Sequence, residues 1–342
     1  MSVLKAVAKE AGVSVSTVSL VLNNKPGISM KTRQRVLSVV DLLGYHDYMP
    51  RMAGRGQQKS IQFVLYKKHG HVVSDTPFFS SVLEGVEEQV KKVGYSLLVT
   101  YVYEAQGMES QVNDIKASNC AGMILLATEM NHQDISPFAH TGIPFVVLDS
   151  YFEEIVDDTV VINNMQGAFL ATRYLCEKGH LNIGYLRSSV SINNFYERRD
   201  GYRKALAYRK IAYQRDLEFS IGSTVETAYS DMKQHLQSGR KLPTAFFADN
   251  DIIAIGAMRA MKEAGIRVPE DVSMVGFDDI PMCTMLEVPL TTIRVPKRYI
   301  GKLAVDRLVE VLNNGGDSNV KIEVCTQLVE RDSVRDITSI KG

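Results

Sequence analysis

The sequence predicts an α/β protein, with a small three-helix head followed by two doubly wound, parallel-sheet subdomains. Three observations point there. From residue 61 onward, apolar runs of strand length alternate with amphipathic helical stretches, and the plan occurs twice. The first 44 residues carry helical spacing only, punctuated by Gly12 and the turn NNKPG. Charge is divided unevenly: residues 1–60 hold nine Lys and Arg against three Asp and Glu, whereas the 342-residue chain as a whole has 39 of each. A basic head on an acidic body is the asymmetry of a nucleic-acid-binding module joined to something else.

In the head, a first helix runs from about Val3 to Ala11 and Gly12 ends it. Ser14 caps a second, from about Val15 to Asn23. Its apolar positions Val18, Val21 and Leu22 face inward at helical spacing, which turns Val15, Ser16, Ser19 and Leu20 outward. Ser29 caps a third helix that Gly44 stops. The spacing Ala8–Gly12–Val18 has a mechanical meaning: a small residue lets two helices cross closely, glycine permits the corner, and a β-branched residue fills the crossing. That is a helix-turn-helix, whose second helix enters the major groove of DNA. Small hydroxyl residues (Ser14, Ser16, Thr17, Ser19, Ser29, Thr32) suit phosphate contacts.

In the body, IQFVLY, YSLLVTYVY, AGMILLA and IPFVVLD read as strands buried on both faces, hence parallel. Between the first two lies SSVLEGVEEQVKKVG, a helix with Ser81 and Glu84 as a capping box. A second set follows: NIGYL, DLEFSI, TAFFAD and DVSMVGF as strands, with helices near 166–178, 199–210, 224–238 and 251–264. Ser223 with Glu226 repeats the capping box. The tail holds a helix from about Pro296 to Asn313 and the strand IEVCTQLV, and is expected to cross back and complete both halves. Ligand groups are then expected in a cleft between subdomains, at the carboxyl ends of strands.

Several classes drop out. The longest uncharged stretches, 135–148 and 159–172, run 14 residues each, short of the ~18 that suggest a membrane span. The opening MSVLKAVAKE carries charges where a signal peptide needs an apolar run, so a cytoplasmic chain is expected. The four cysteines are widely spaced without CxxC, and no metal or disulfide role is expected. There is no Walker A sequence, GxGxxG, GxSxG or HExxH, and no cofactor is expected. His69 and His71 in KKHGH read as solvated loop residues. Asp278 and Asp279 lack a neighbouring nucleophile or metal partner, so binding is favoured over acid–base catalysis and the chain is not expected to be an enzyme.

The stretch LKAVAKEAGVSVSTVSLVLNNKPGISMKTRQRVLSVVDLLGY is similar, almost residue by residue, to the DNA-binding head of the lactose-repressor (LacI/GalR) family of bacterial transcription regulators. The segments TPFFSSVLEGVE, GIPFVVLDS, ERRDGYRKAL, ADNDIIAIGAMRAMKEAGIRVPEDVSMVGFDD and LVERDSV extend the likeness over nearly the whole chain. The resemblance implies a ligand-responsive regulator, with residues 1–56 as DNA-binding head and hinge and 57–342 as a ligand-binding, dimerising domain of the periplasmic-binding-protein type. Subdomain one would span about 60–161 and 291–321, and subdomain two about 162–290 and 322–342. It implies operator DNA, a sugar-like effector and a second copy of the chain as partners. Base contacts fall on Val15, Ser16 and Leu20, and phosphate contacts on Ser14, Thr17, Asn23, Ser29 and Thr32. Leu20 departs from the Arg usual at that position. So does the connector GYHDYMPRMAGRGQQKS, where glycines weaken a hinge helix and Met49 or Met52 is the candidate minor-groove wedge, with a plain linker as the alternative. Carried across by motif, the cleft groups are Phe79, Asp149, Asn163, Arg198, Asn250 and Asp278. An Arg fork, carboxylates, amides and a ring face suit vicinal hydroxyls. The rival reading, a solute-binding protein of transport, fits neither the charged N-terminus nor the basic head.

Overall fold

The computed structural model describes residues 3–22, 28–43, 59–73, 77–154, 156–315 and 318–338. The chain divides into two compact units, Met1–Lys59 and Ser60–Gly342.

The head consists of α1 (Val3–Ala11), α2 (Val15–Leu22) and α3 (Met30–Leu42). Val7, Ala8 and Ala11 of α1 meet Val18, Val21 and Leu22 of α2 and Val36 and Val40 of α3 in one small core. Gly12 has φ 62°, the left-handed conformation that lets the chain turn between the first two helices. The second helix is described over Val15–Leu22; Asn23, its expected last residue, lies outside the described residues, as do Met49 and Met52.

The body opens with β1 (Ser60–Lys67), α4 (Pro77–Lys92), β2 (Ser96–Tyr103), α5 (Met108–Ala117), β3 (Gly122–Leu126), α6 (His132–Ala139), β4 (Phe145–Leu148) and β5 (Thr159–Ile162). It continues through α7 (Asn164–Glu177), β6 (Ile183–Ser188), α8 (Asn193–Tyr208), β7 (Glu218–Ile221), α9 (Val225–Gln237), β8 (Ala245–Ala248), α10 (Asp251–Glu263) and β9 (Ser273–Val275). The last elements are β10 (Thr292–Arg294), α11 (Lys297–Asn314), β11 (Lys321–Val324) and β12 (Gln327–Val329). One sheet, of subdomain one, has the order β11-β5-β4-β3-β1-β2, and the sheet of subdomain two has the order β7-β6-β8-β9. All pairings within both are parallel. In each sheet the strand order reverses beside the first strand, the position where doubly wound folds open a crevice. The registers Leu65↔Leu126 and Leu126↔Leu148 end β3 and β4 level, with β1 running two residues further to Lys67, so the residues that follow these strands share one rim.

Several local expectations are corrected. The segment YSLLVTYVY is not buried on both faces: β2 is an edge strand, with Leu98, Val99 and Tyr101 exposed. The helix of the Ser81–Glu84 box begins four residues earlier, at Pro77, so both lie inside α4; proline suits a first turn whose N–H groups lack helical partners. The Ser223–Glu226 box is replaced by Thr224 and Thr227, while Ser223 Oγ lies 3.0 Å from Ser188 Oγ. The helix expected at 199–210 starts at Asn193. The run IEVCTQLV is two strands rather than one: β11 pairs with β5 in the first sheet, and β12 pairs antiparallel with β10. Subdomain one therefore keeps residues through Val324, three beyond the expected boundary. The tail helix α11 packs on α4 at a crossing close enough for backbones to touch. A Cβ on Gly85 would strike the carbonyl of Arg298, and one on Gly301 the carbonyl of Val82.

Candidate functional site: a cleft between two sheets and a helix-turn-helix face

On the head, Val15 and Leu20 are 40% and 39% exposed and Ser16 is exposed, while Val18, Val21 and Leu22 are buried. Ser19 is half-buried rather than fully outward. The hydroxyls do a local job first. Ser14 Oγ accepts from the Thr17 N–H at 3.0 Å, and Ser29 Oγ accepts from the Thr32 N–H at 3.2 Å, which caps α2 and α3. Thr17 and Thr32 Oγ1 each lie 2.9 Å from the capping hydroxyl. Both helix N-termini thus present small donors beside a positive dipole end, a surface chemistry suited to phosphate.

In the body, Phe79, Asp149, Arg198, Asn250 and Asp278 line one cleft. The folding rule is strand-end placement: Asp149 follows β4, Asn250 follows β8 by two residues, and Asp278 follows β9 by three. Asn163 is not among them. It caps α7, accepting from Gln166 N–H at 2.9 Å, donates to Glu323, and borders a separate pocket with Lys204 and Lys321. It stands straight after β5, which lies one strand in from the β11 edge of the sheet.

Arg198 is 3% exposed and each nitrogen of its fork makes a hydrogen bond. Nε donates to Asn164 Oδ1 at 2.9 Å, Nη1 to the Asp249 carbonyl at 2.6 Å, and Nη2 to Asp278 Oδ1 at 3.4 Å. The guanidinium lies 3.7 Å from the centre of the Phe277 ring. Behind it, Asp249 accepts from the Ser188 N–H at 2.6 Å and from the Tyr185 hydroxyl. Asn250 Oδ1 caps α10 through the Ile253 N–H at 3.0 Å. Asp278 has φ 112° and Asp279 φ 56°, two consecutive non-glycine residues in the left-handed half of backbone space. They are held there by Lys297, which donates to both carbonyls, and by Arg294 and Arg331 on the Asp279 carboxylate.

The opposite wall is different. Asp149 is 3% exposed, with φ 68°; its Oδ2 accepts from the Thr128 hydroxyl at 2.5 Å, and its Oδ1 is buried without a hydrogen-bond partner. Burial pushes this carboxyl up to about 7, against the pull of the Thr128 hydroxyl, the Arg198 charge and the nearby Asn194 amide. Burial likewise pushes Asp249 and Asp251 to about 7 and raises Asp278. The space among the walls is about 20 Å³, room for about one water. A sugar-sized ligand enters only when the walls part.

Sequence reasoning did not single out Thr128, Asn164 or Asp249, although each directly supports a residue it did. Thr128 and Asp249 stand just past apolar strands, so the strand-end rule contained the signal. Among the described residues no cluster of three His, Cys, Asp or Glu could hold a metal, and no helix is long and apolar enough to cross a membrane.

Comparison with known proteins agrees with this architecture. Residues 3–47 match the model of bacterial regulatory proteins of the lacI family, and residues 172–334 match that of the periplasmic binding protein-like domain. The chain is 31% identical over 345 residues to the HTH-type transcriptional repressor PurR of Vibrio cholerae, covering 99% of both. It is 32% identical over 338 residues to the ribose operon repressor of Haemophilus influenzae, covering 98% of this chain and 99% of the relative. Among solved structures, the Lac repressor dimer bound to operator and the anti-inducer ONPF superposes with a TM-score of 0.77 at 26% identity, covering 98% of this chain and 99% of that one. The complex of the transcriptional regulator CelR with cellobiose gives 0.72 at 25% identity, covering 97% and 100%. A head of three helices whose second offers an open face, and a body whose two sheets meet at a cleft, therefore have one common account: the chain belongs to the lacI family of bacterial regulatory proteins.

Proposed function

We propose that this chain represses transcription from operator DNA as a cytoplasmic homodimer, under the control of a sugar-like effector in the cleft. The observation that carries the reading is the cleft itself. An unpartnered buried acceptor, Asp149 Oδ1, stands with Arg198, Asn250 and Asp278 in a chain that also bears a basic helix-turn-helix. Residues 1–56 act as head and hinge, with Val15, Ser16 and Leu20 on bases and Ser14, Thr17, Ser29 and Thr32 on phosphates. Residues 57–342 bind effector and dimerise. The exposed apolar edge of β2, at Leu98, Val99 and Tyr101, supports a protein partner there. The chain binds rather than turns over its ligand, because Arg198 and Asp278 are paired with each other and none of the cleft groups stands as nucleophile beside a base.

Two experiments test this. A thermal-shift screen of residues 57–342 against pentoses, hexoses, disaccharides and nucleobases should find a sugar that stabilises by about 2.7 kcal/mol at 100 times its Kd. Selection from random DNA with the wild type and Leu20→Arg tests the head. A leucine at that position fits a thymine methyl, and Leu20→Arg should shift preference there toward G·C by about 1–3 kcal/mol. Identical half-site preferences from both proteins would mean that residue 20 reads nothing.

A further inference from the structure

Glu129 lies just past β3 and is 3% exposed, yet it faces no arginine or lysine at ion-pair distance among the described residues. Its partners are the loop backbone and the His69 ring, whose Nδ1 lies 3.3 Å from Oε1. Oε2 accepts from the N–H groups of Lys68 at 3.0 Å, His69 at 3.2 Å and Gly70 at 2.8 Å. Oε1 accepts from Val72 at 2.9 Å and Val73 at 3.1 Å. One carboxylate thus gathers five N–H groups of the loop that follows β1. Although burial alone would raise it, these N–H groups and nearby His69 hold the carboxyl below its ordinary value.

The loop has a specific load. Val72 is buried at the cleft, not in either main core. It packs with Ile192, Phe195 and half-buried Val190, which come from the turn into α8 in subdomain two. That turn is held a second time from subdomain one, by Asn193 donating to the Tyr151 carbonyl at 3.0 Å. The Val72 cluster is therefore an apolar contact across the cleft mouth, and its subdomain-one half stands on a loop whose shape Glu129 imposes.

We propose that Glu129 is a positioning residue of the cleft, which folds loop 68–73 around its carboxylate so that Val72 latches onto Ile192 and Phe195 and holds the two walls together. The latch regulates effector entry on the reading that the cleft is the effector site. Its own test uses no effector, so failure of either idea is seen separately.

Hydrogen–deuterium exchange on the full chain, wild type against Glu129→Gln and Val72→Ser, reads both halves of the latch. Glutamine keeps the size but turns a donor toward N–H groups that need an acceptor. Glu129→Gln should speed exchange about tenfold at 68–73 and also at 189–196, across the cleft and out of reach of Glu129. Val72→Ser should speed exchange at 189–196 while leaving 68–73 protected. Deprotection confined to 68–73 in Glu129→Gln would reduce Glu129 to a local loop staple and overturn the proposal. So would wild-type exchange at 189–196 in Val72→Ser, the variant that decides the matter alone if Glu129→Gln does not fold.

Discussion

The two walls of the cleft solve the burial of charge in opposite ways. On subdomain two, Arg198 is shared among Asn164, the Asp249 carbonyl and Asp278, with Phe277 stacked on its face. That wall is a completed network, shaped before any ligand arrives. On subdomain one, Asp149 has the Thr128 hydroxyl on one oxygen, while the other has the Asn194 amide near it but outside hydrogen-bond geometry. An unsatisfied buried acceptor costs about 1–3 kcal/mol, more for a charged one. On the proposed reading, a ligand hydroxyl that reaches Oδ1 would recover that cost, and the incomplete wall would supply driving force where the complete one supplies shape. The lesson is that residues with the same fractional burial have different roles according to whether their hydrogen bonds are already made.

The strongest test of this contrast is Arg198→Ala. Removing one member of a buried ionic network leaves Asp278 without its positive partner, and stability should fall by about 3–5 kcal/mol. Urea unfolding of the body measures it, and an unchanged midpoint would dissolve the network. Effector binding should fall as well, by roughly 2–4 kcal/mol if the fork also meets the ligand.

Asp149→Asn should behave in the reverse sense. Effector affinity, by titration calorimetry, should drop by about 1–3 kcal/mol with no loss of stability at neutral pH. The pH dependence sharpens this. A carboxyl raised in the folded state favours folding while protonated, and that contribution fades as pH climbs from its unfolded value of about 4 toward the folded one. With Asp149, Asp249 and Asp251 each pushed to about 7, stability should decline between about pH 4 and 7 through these groups. The decline should be shallower in Asp149→Asn. An equal slope in the two proteins would mean that Asp149 is not the strained member.

The smallest effect belongs to Asn163→Ala. Loss of the α7 cap should cost about 1 kcal/mol of stability, while effector affinity stays within about 0.5 kcal/mol, since the residue borders another pocket. A tenfold loss of affinity would return Asn163 to the cleft.

Much of the fold is legible in the sequence, for identifiable reasons. The strands β1, β3, β4 and β8 announce themselves as short apolar runs, and the polar residues after them fall where doubly wound folds place ligands. The helices α5 and α6 escape a sequence reading because each shows so little pattern: MESQVNDIKA buries only Val112 and Ile115, and HQDISPFA carries Pro137 inside it. The capping boxes mislead because α4 already begins at Pro77, which leaves Ser81 inside it, and because Thr224 with Thr227 forms the box at α9. The Arg198 network cannot be read in advance, since its partners stand 34, 51 and 80 positions away and only the folded sheets bring them together. Glu129 gives no sign at all; a glutamate serving as acceptor for a distant loop's backbone has no sequence pattern.

The weaving of the tail through the body sets an order of events at the ribosome. The head's core is complete once α3 has emerged, so it can fold while the rest of the chain is still being made. Subdomain one cannot do the same. Its helix α4 waits for α11, the last of the described helices, to cover the face opened by Gly85, and β5 waits for β11 as its second neighbour. A nascent chain therefore carries a finished DNA-reading module ahead of an unfinished sensor, with the face of α4 around Gly85 uncovered until residue 314 has left the exit tunnel. Truncation within the last thirty or so residues should thus be felt far from the terminus, in a sheet whose first strand was made about two hundred and sixty residues earlier.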